Sequence, residues 1–203
     1  GVDKNGAKHT IYECLIGNLS LREAMYPTTV DRLNLVPANK NLVGAIVEFV
    51  DMEDREYRLR KALASLPNEY HYVFVDCPPS LNLLTVNGLT AATSVLIPLQ
   101  CEYYALEGLS ELLQTVNLVQ ANLNPQLQLE GVLLTMYQHT NLARQVAEDV
   151  RAHLGEKVYR TLIPRNVTLA EAPGFGKPVI YYDLKSAGAK AYIALAREVV
   201  AHG

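Results

Sequence analysis

The chain has 203 residues, 49% of them hydrophobic and 19% charged, which suits one globular domain over residues 1–203 and excludes disordered and collagen-like classes. Its formal net charge is −3, so the chain is not a polycation, and any nucleic-acid contact must come from a local basic patch. No apolar run approaches the roughly 18 residues that span a bilayer, and residues 1–10 (GVDKNGAKHT) are too polar for a signal peptide. Cys14, Cys77 and Cys101 are too few and too widely spaced for a disulfide framework or a zinc site. The expected compartment is the cytoplasm, with reduced thiols.

In chain order, Leu33 to Pro37 is the first strand candidate. Leu59, Ala62, Leu63 and Leu66 share a helical face that Pro67 stops. Tyr72 to Val75 (YVFV) is an aromatic and β-branched run of the kind found in buried strands. Ser94 to Leu99 (SVLIPL) is another strand, and Leu106, Leu109, Leu113 and Val116 form a helical stripe ending before Pro125. Leu127 to Leu134 returns to strand. Leu142, Val146 and Val150 mark a helix that Gly155 can cap. Val158 to Ile163 is the last strand, and Tyr192, Leu195, Ala196 and Val199 form a closing helix. This alternation predicts an α/β fold with a mostly parallel sheet flanked by helices, and ligands bound beyond the carboxyl ends of the strands.

Three blocks come directly after predicted strands. In Val73-Phe74-Val75-Asp76-Cys77-Pro78-Pro79-Ser80, an apolar run delivers one carboxylate. Asp76 there could hold a water on Mg²⁺ beside nucleotide phosphates, and Pro78 and Pro79 stiffen a turn able to sense them. The plainer alternative is that Asp76 starts a turn or caps the next helix. In Ile163-Pro164-Arg165-Asn166, the flat ring of Pro164, the planar cation of Arg165 and the paired donor and acceptor of Asn166 suit an adenine ring and its edge. A polar loop opening a helix is the alternative. In the third block, Glu102, Tyr103 and Tyr104 could contact a partner subunit, or form a solvated helix start with half-buried tyrosines.

The blocks VFVDCPPS, PLQCEYYALEG and IPRNVTLAEAPGFGKP, with LVPANKNLVGAIVE, LEGVLLTMY and KPVIYYDLKSAGAKAY elsewhere along the chain, resemble ParA/Soj partitioning ATPases over nearly the whole chain. The resemblance implies a deviant P-loop fold that binds ATP and Mg²⁺. It also implies an ATP-dependent homodimer, binding of double-stranded DNA without sequence preference, nucleoid association, and hydrolysis stimulated by a ParB/Spo0J-type partner. Carried over by position, Asp76 looks like the acid near the magnesium, acting through water. Pro164, Arg165 and Asn166 look like the adenine wall, and Pro78 and Pro79 fall in the switch.

The family opens with a strand, a KGGVGKTT-type loop, a helix and a strand carrying DxDPQ, a βαβ portion of roughly 30 residues or more. None of these motifs occurs in the 203 residues, and Gly1-Val2-Asp3-Lys4 resembles the family's segment just past DxDPQ. The nearest Gly-rich stretch, Gly174-Phe175-Gly176-Lys177-Pro178, lacks the spacing and the Ser/Thr that Mg²⁺ requires. The 203-residue chain by itself is therefore expected to fold poorly and not to hydrolyse ATP; turnover by the purified chain would refute this. Relatives often carry basic residues where this chain has His139 and Thr168, which leaves Arg144, Lys177, Lys185 and Lys190 as DNA-binding candidates, with Arg151 and Lys157 behind them. A MinD-like membrane ATPase would need a basic amphipathic carboxyl-terminal helix, whereas residues 191–203 (AYIALAREVVAHG) hold one Arg and no Trp or Phe. A non-catalytic interaction paralogue on the same scaffold is the third reading.

Overall fold

The structure, a computed structural model, describes residues 2–3, 6–66, 69–78 and 80–202. The chain divides into two compact units, residues 1–93 with 115–127, and residues 94–114 with 128–203.

The first unit is built from short helices. Helix α1 (Ile11–Leu15) starts at a Thr-x-x-Glu capping box: Thr10 Oγ1 accepts from the Tyr12 N–H, and the Thr10 N–H donates to Glu13 at 2.7 Å. Leu15 packs with Ala45 and Phe49, from α2 (Asn41–Glu48) and the turn after it, and with Leu59 of α3 (Arg58–Leu63). Pro67, expected to stop α3, lies outside the described residues. Buried Asn87 of α4 (Leu83–Ala91) ties these pieces together, accepting from the Leu59 N–H and donating to the carbonyls of Arg55 and Leu83. The predicted strand 33–37 is reduced to β2 (Asn34–Leu35), paired antiparallel with β1 (Tyr26–Pro27).

Residues 72–78 correct the reading of YVFV as a buried strand. The segment has no ladder partner among the described residues. Phe74 is 83% exposed, with Tyr72 stacked on it at 6.1 Å. The alternation itself is real. A Cβ on Gly88 of α4 would lie 2.6 Å from the Cys77 sulfur and 3.6 Å from Val75, so the odd-numbered face leans on α4. Apolar composition gives a strand pattern, but burial on both faces needs neighbouring backbone.

The second unit contains the parallel pair β3 (Ser94–Gln100) and β4 (Gln128–Thr135), in register from Ser94 opposite Gln128 to Gln100 opposite Thr135, with an irregularity between Val95 and Leu96. Helix α5 (Ala105–Asn122) links them, as parallel strands require a long crossover. Period-two alternation along β4 sorts its side chains. Val132 and Leu134 join Ile97, Leu99 and Leu109, and Ala143, Val146 and Val150 of α6 (Asn141–Leu154). Leu133 points the other way, to Tyr159, Ile163 and Leu195, the last from α9 (Ala187–His202). Helices therefore cover both faces of the sheet. Each fully buried Val or Leu contributes about 1.5–3 kcal/mol of transfer free energy. Thr140 caps α6 and Gly155, at φ 54°, ends it as expected, whereas Leu142 is exposed on its first turn.

The predicted strand 158–163 is corrected to two contacts flanking a bulge. The Tyr159 N–H donates to the Val132 carbonyl and the Ile163 N–H to the Leu134 carbonyl, both at 3.0 Å. Between them, the N–H groups of Arg160 and Thr161 donate to the Glu198 carboxylate at 2.7 and 3.1 Å. A carboxylate from α9 thus takes the donors that would have continued the ladder.

Candidate nucleotide site

The block Ile163-Pro164-Arg165-Asn166 is delivered to the carboxyl end of β4. The Tyr137 N–H donates to the Ile163 carbonyl (3.0 Å), the Arg165 N–H donates to the Tyr137 carbonyl (3.1 Å), and Tyr137 and Pro164 form a parallel bridge. Asn166 then occupies the N-cap position of α7 (Val167–Glu171) with extended backbone, φ −144° and ψ 127°. Its side chain makes no cap hydrogen bond, and its Oδ1 is buried without a partner. The position is a helix start, as the plainer reading of the block expects, and the amide does not cap it. A buried acceptor left unpaired costs about 1–3 kcal/mol. Arg165 is exposed and Pro164 half-buried beside it.

Sequence reasoning missed Met136. It has φ 52°, in the left-handed region, at the first position after β4. This conformation costs a non-glycine residue roughly 1–2 kcal/mol, and such strain gathers at functional sites. Nothing in a methionine signals it. The Tyr137 and His139 rings meet edge to face at 5.6 Å just beyond, so His139 stands beside the Pro164 strand end.

Asp76 and Pro78 belong to the first unit, and both are exposed; Pro79 lies outside the described residues. Asp76 does not cap α4. Asn82 does, its Oδ1 accepting from the N–H groups of Leu84 and Thr85. The Thr85 hydroxyl donates to the Ser80 carbonyl at 2.6 Å, which ties Ser80 to α4. Among the described residues, no group of three or more His, Cys, Asp or Glu is placed to hold a metal ion by itself. A single carboxylate nonetheless suits Mg²⁺, which keeps several waters and takes its remaining ligands from substrate phosphates.

Glu102, Tyr103 and Tyr104 sit in the turn that opens α5. Both tyrosines are exposed rather than half-buried, with their rings edge to face at 5.1 Å. Arg144, Arg151, Lys157, Lys177, Lys185 and Lys190 all belong to the second unit and are exposed. Lys157 donates to the Leu129 carbonyl at 2.9 Å and Arg144 to Asn141 at 3.2 Å. Among the described residues, Lys177, Lys185 and Lys190 form no ion pair. Thr168 is half-buried in α7. No described helix is long and apolar enough to cross a membrane.

The AAA_31 family, an AAA domain, matches residues 1–129. The chain is 52% identical over 201 residues to the chromosome partitioning protein ParA of Myxococcus xanthus, covering 98% of this chain and 71% of that protein. It is 51% identical over 204 residues to the sporulation initiation inhibitor protein Soj of Bacillus subtilis, covering 100% of this chain and 81% of the relative. Among solved structures, cobyrinic acid a,c-diamide synthase from Mycobacterium smegmatis, with bound ADP and magnesium, superposes with TM-score 0.83 at 37% identity over 100% of this chain and 75% of its own. The cell division ATPase MinD of Pyrococcus furiosus shares the fold, with TM-score 0.78 at 22% identity over 98% of this chain and 78% of its own. A parallel sheet flanked by helices is the architecture this chain shares with the ParA/MinD-type P-loop ATPases. The chain belongs to the ParA/Soj family of chromosome-partitioning ATPases.

Proposed function

We propose that this chain acts in an ATP-dependent DNA-partitioning switch of the ParA/Soj type. In this reading an ATP-bound homodimer holds double-stranded DNA without sequence preference, on the nucleoid, and a ParB/Spo0J-type partner stimulates hydrolysis and releases it. Roughly half-identity to ParA and Soj proteins over nearly the whole chain carries the reading. The unpartnered Oδ1 of Asn166 supports the nucleotide part, because adenine presents an exocyclic amine that can donate to it. Pro164 and Arg165 would hold the faces of the base, and Asp76 would hold a magnesium-bound water. Mg²⁺, when bound, neutralises charge developing on the phosphates. The 203 residues contain no Lys-bearing phosphate loop of the family type, so on its own the chain should bind nucleotide through the base rather than turn it over.

The DNA part rests on accessible cations in the second unit. Replacing Lys177, Lys185 and Lys190 together with Gln is expected to weaken binding of a random-sequence duplex and to reduce the slope of log K against log salt by about 2–3, since each neutralised phosphate contributes about 0.9. Fluorescence anisotropy at several salt concentrations reads both quantities. An unchanged slope would remove these three lysines from the DNA surface.

A further inference from the structure

The segment that delivers the Pro164–Asn166 block is longer than its ladder requires. The Tyr159 and Ile163 N–H groups bond the carbonyls of Val132 and Leu134, so donors four residues apart meet acceptors two residues apart. A regular parallel pair advances equally on both sides. The surplus lies at Arg160 and Thr161, whose N–H groups both point to the half-buried Glu198 carboxylate, Arg160 to Oε1 at 2.7 Å and Thr161 to Oε2 at 3.1 Å. In an extended strand successive N–H groups point to opposite edges, so one carboxylate collects both only where the strand is bulged.

The surplus sets which residues stand at the end of β4. Were the bulge to flatten, Thr161 would take the Leu134 rung, and Pro164, Arg165 and Asn166 would be carried two residues, about 6–7 Å, past their present places. Parity does not oppose that slip, because a shift of two keeps every side chain on its own face. What opposes it is the exchange of Ile163 for Thr161 in the core, and the loss of two charge-assisted bonds at Glu198.

Helix α9 holds the chain on both sides of the block. Leu195, one turn before Glu198 on the same face, packs with Tyr159 and Ile163, which flank the bulge. Near the start of α9, a Cβ on Gly188 would lie 2.5 Å from Leu169 of α7, the helix that Asn166 opens. One helix of 16 residues thus seats the backbone before the block with its later turns and the backbone after it with its first.

We propose that Glu198 is a positioning residue for the base site, its carboxylate fixing the bulge that sets Pro164, Arg165 and Asn166 at the end of β4. It acts through the backbone and not by touching the base. The ligand rests on the reading of that block as the adenine wall; the clamp rests on the two N–H bonds alone.

Glu198→Gln tests it, because glutamine keeps the volume but turns an NH2 toward one of the two N–H donors. A residue that only packed would tolerate that change. Val199→Ala is the control, since it removes packing from the same helix and cluster and leaves both bonds in place. In saturation-transfer NMR the wild-type 203-residue chain is expected to bind adenosine at least about tenfold more tightly than inosine. Glu198→Gln should cut that preference to within about twofold, through weaker adenosine binding, and Val199→Ala should keep it. Amide hydrogen exchange reads the clamp without a ligand. In wild type the Arg160 and Thr161 amides should be protected at least about a hundredfold, and in Glu198→Gln the Ile163 and Arg165 amides should exchange at least about tenfold faster. Unprotected Arg160 and Thr161 amides in wild type overturn the inference whether or not the variant folds. So does a Glu198→Gln chain that keeps the adenosine preference, or a Val199→Ala chain that loses it equally. Equal binding of the two nucleosides by wild type, with exchange obeying this pattern, keeps the clamp and sinks the adenine reading instead.

Discussion

Replacing Gly131 with alanine is expected to lower the unfolding free energy by about 3 kcal/mol, at the upper end of the usual overpacking range. Gly131 lies in β4 opposite Leu96. A Cβ there would stand 2.8 Å from Cε2 of Tyr159 and 2.9 Å from the Lys157 carbonyl oxygen. Neither obstacle can move freely. Tyr159 is 2% exposed and packs with Leu133, Ile163 and Leu195, and the backbone at 157–159 is held by the Tyr159 N–H bond to the Val132 carbonyl. Urea unfolding monitored by circular dichroism should show a lower midpoint at an unchanged slope. A second readout comes from the phenol. Burial, and then the nearby Glu130 carboxylate, push the Tyr159 hydroxyl up to about 12 from its ordinary 10. A folded-state value raised in this way contributes stability that is present below pH 10 and lost as pH rises toward 12. If the added methyl levers the ring out, Tyr159 should ionise nearer 10 in an ultraviolet titration, and that alkaline loss should shrink. A midpoint within about 0.5 kcal/mol of wild type, with the phenol unmoved, would mean that residues 157–159 yield easily. They would then be a poor anchor for the adjoining Pro164–Asn166 block.

That anchoring also marks where the sequence could be read and where it could not. Strands β3 and β4 and helices α6 and α9 were legible because their apolar residues repeat at a period of two or near 3.6, and the partners those periods imply lie within the same unit. The 158–163 strand misled because its pattern is that of a strand while its donors are captured by Glu198, about forty positions later in the chain; no local window contains that information. YVFV misled for the opposite reason. Its alternation is correct, with Val75 and Cys77 toward α4, but a ladder is a property of two backbones and one segment shows only half of it. At the site, residue types were legible: a ring, a planar cation and an amide after a strand. What was not legible is that the amide at this helix start leaves its oxygen buried without a donor, which arises from packing and leaves no trace in the order of residues.

Asn166→Leu should therefore move stability and binding in opposite directions. Leucine has nearly the shape of asparagine and no polar atom, so in the ligand-free chain it removes an unpaired buried acceptor and should raise the unfolding free energy by about 1–2 kcal/mol. An ordinary cap residue would show the reverse sign, because losing an N-cap side chain destabilises by about 1 kcal/mol. The ligand side can be tested through the base alone, without calling on phosphate contacts. Adenosine presents an amine where inosine presents an oxygen, and only the amine can donate to Oδ1. Wild-type chain is expected to bind adenosine at least about tenfold more tightly than inosine, because opposing two acceptors leaves both unsatisfied. In Asn166→Leu the discrimination should collapse to within about twofold, through weaker adenosine binding. Saturation-transfer NMR titrations with the two nucleosides measure this at the weak affinities a base and sugar provide. Equal binding of adenosine and inosine by the wild-type chain would sink the assignment of this amide to the adenine edge. A destabilised Asn166→Leu would return the residue to the role of a helix cap.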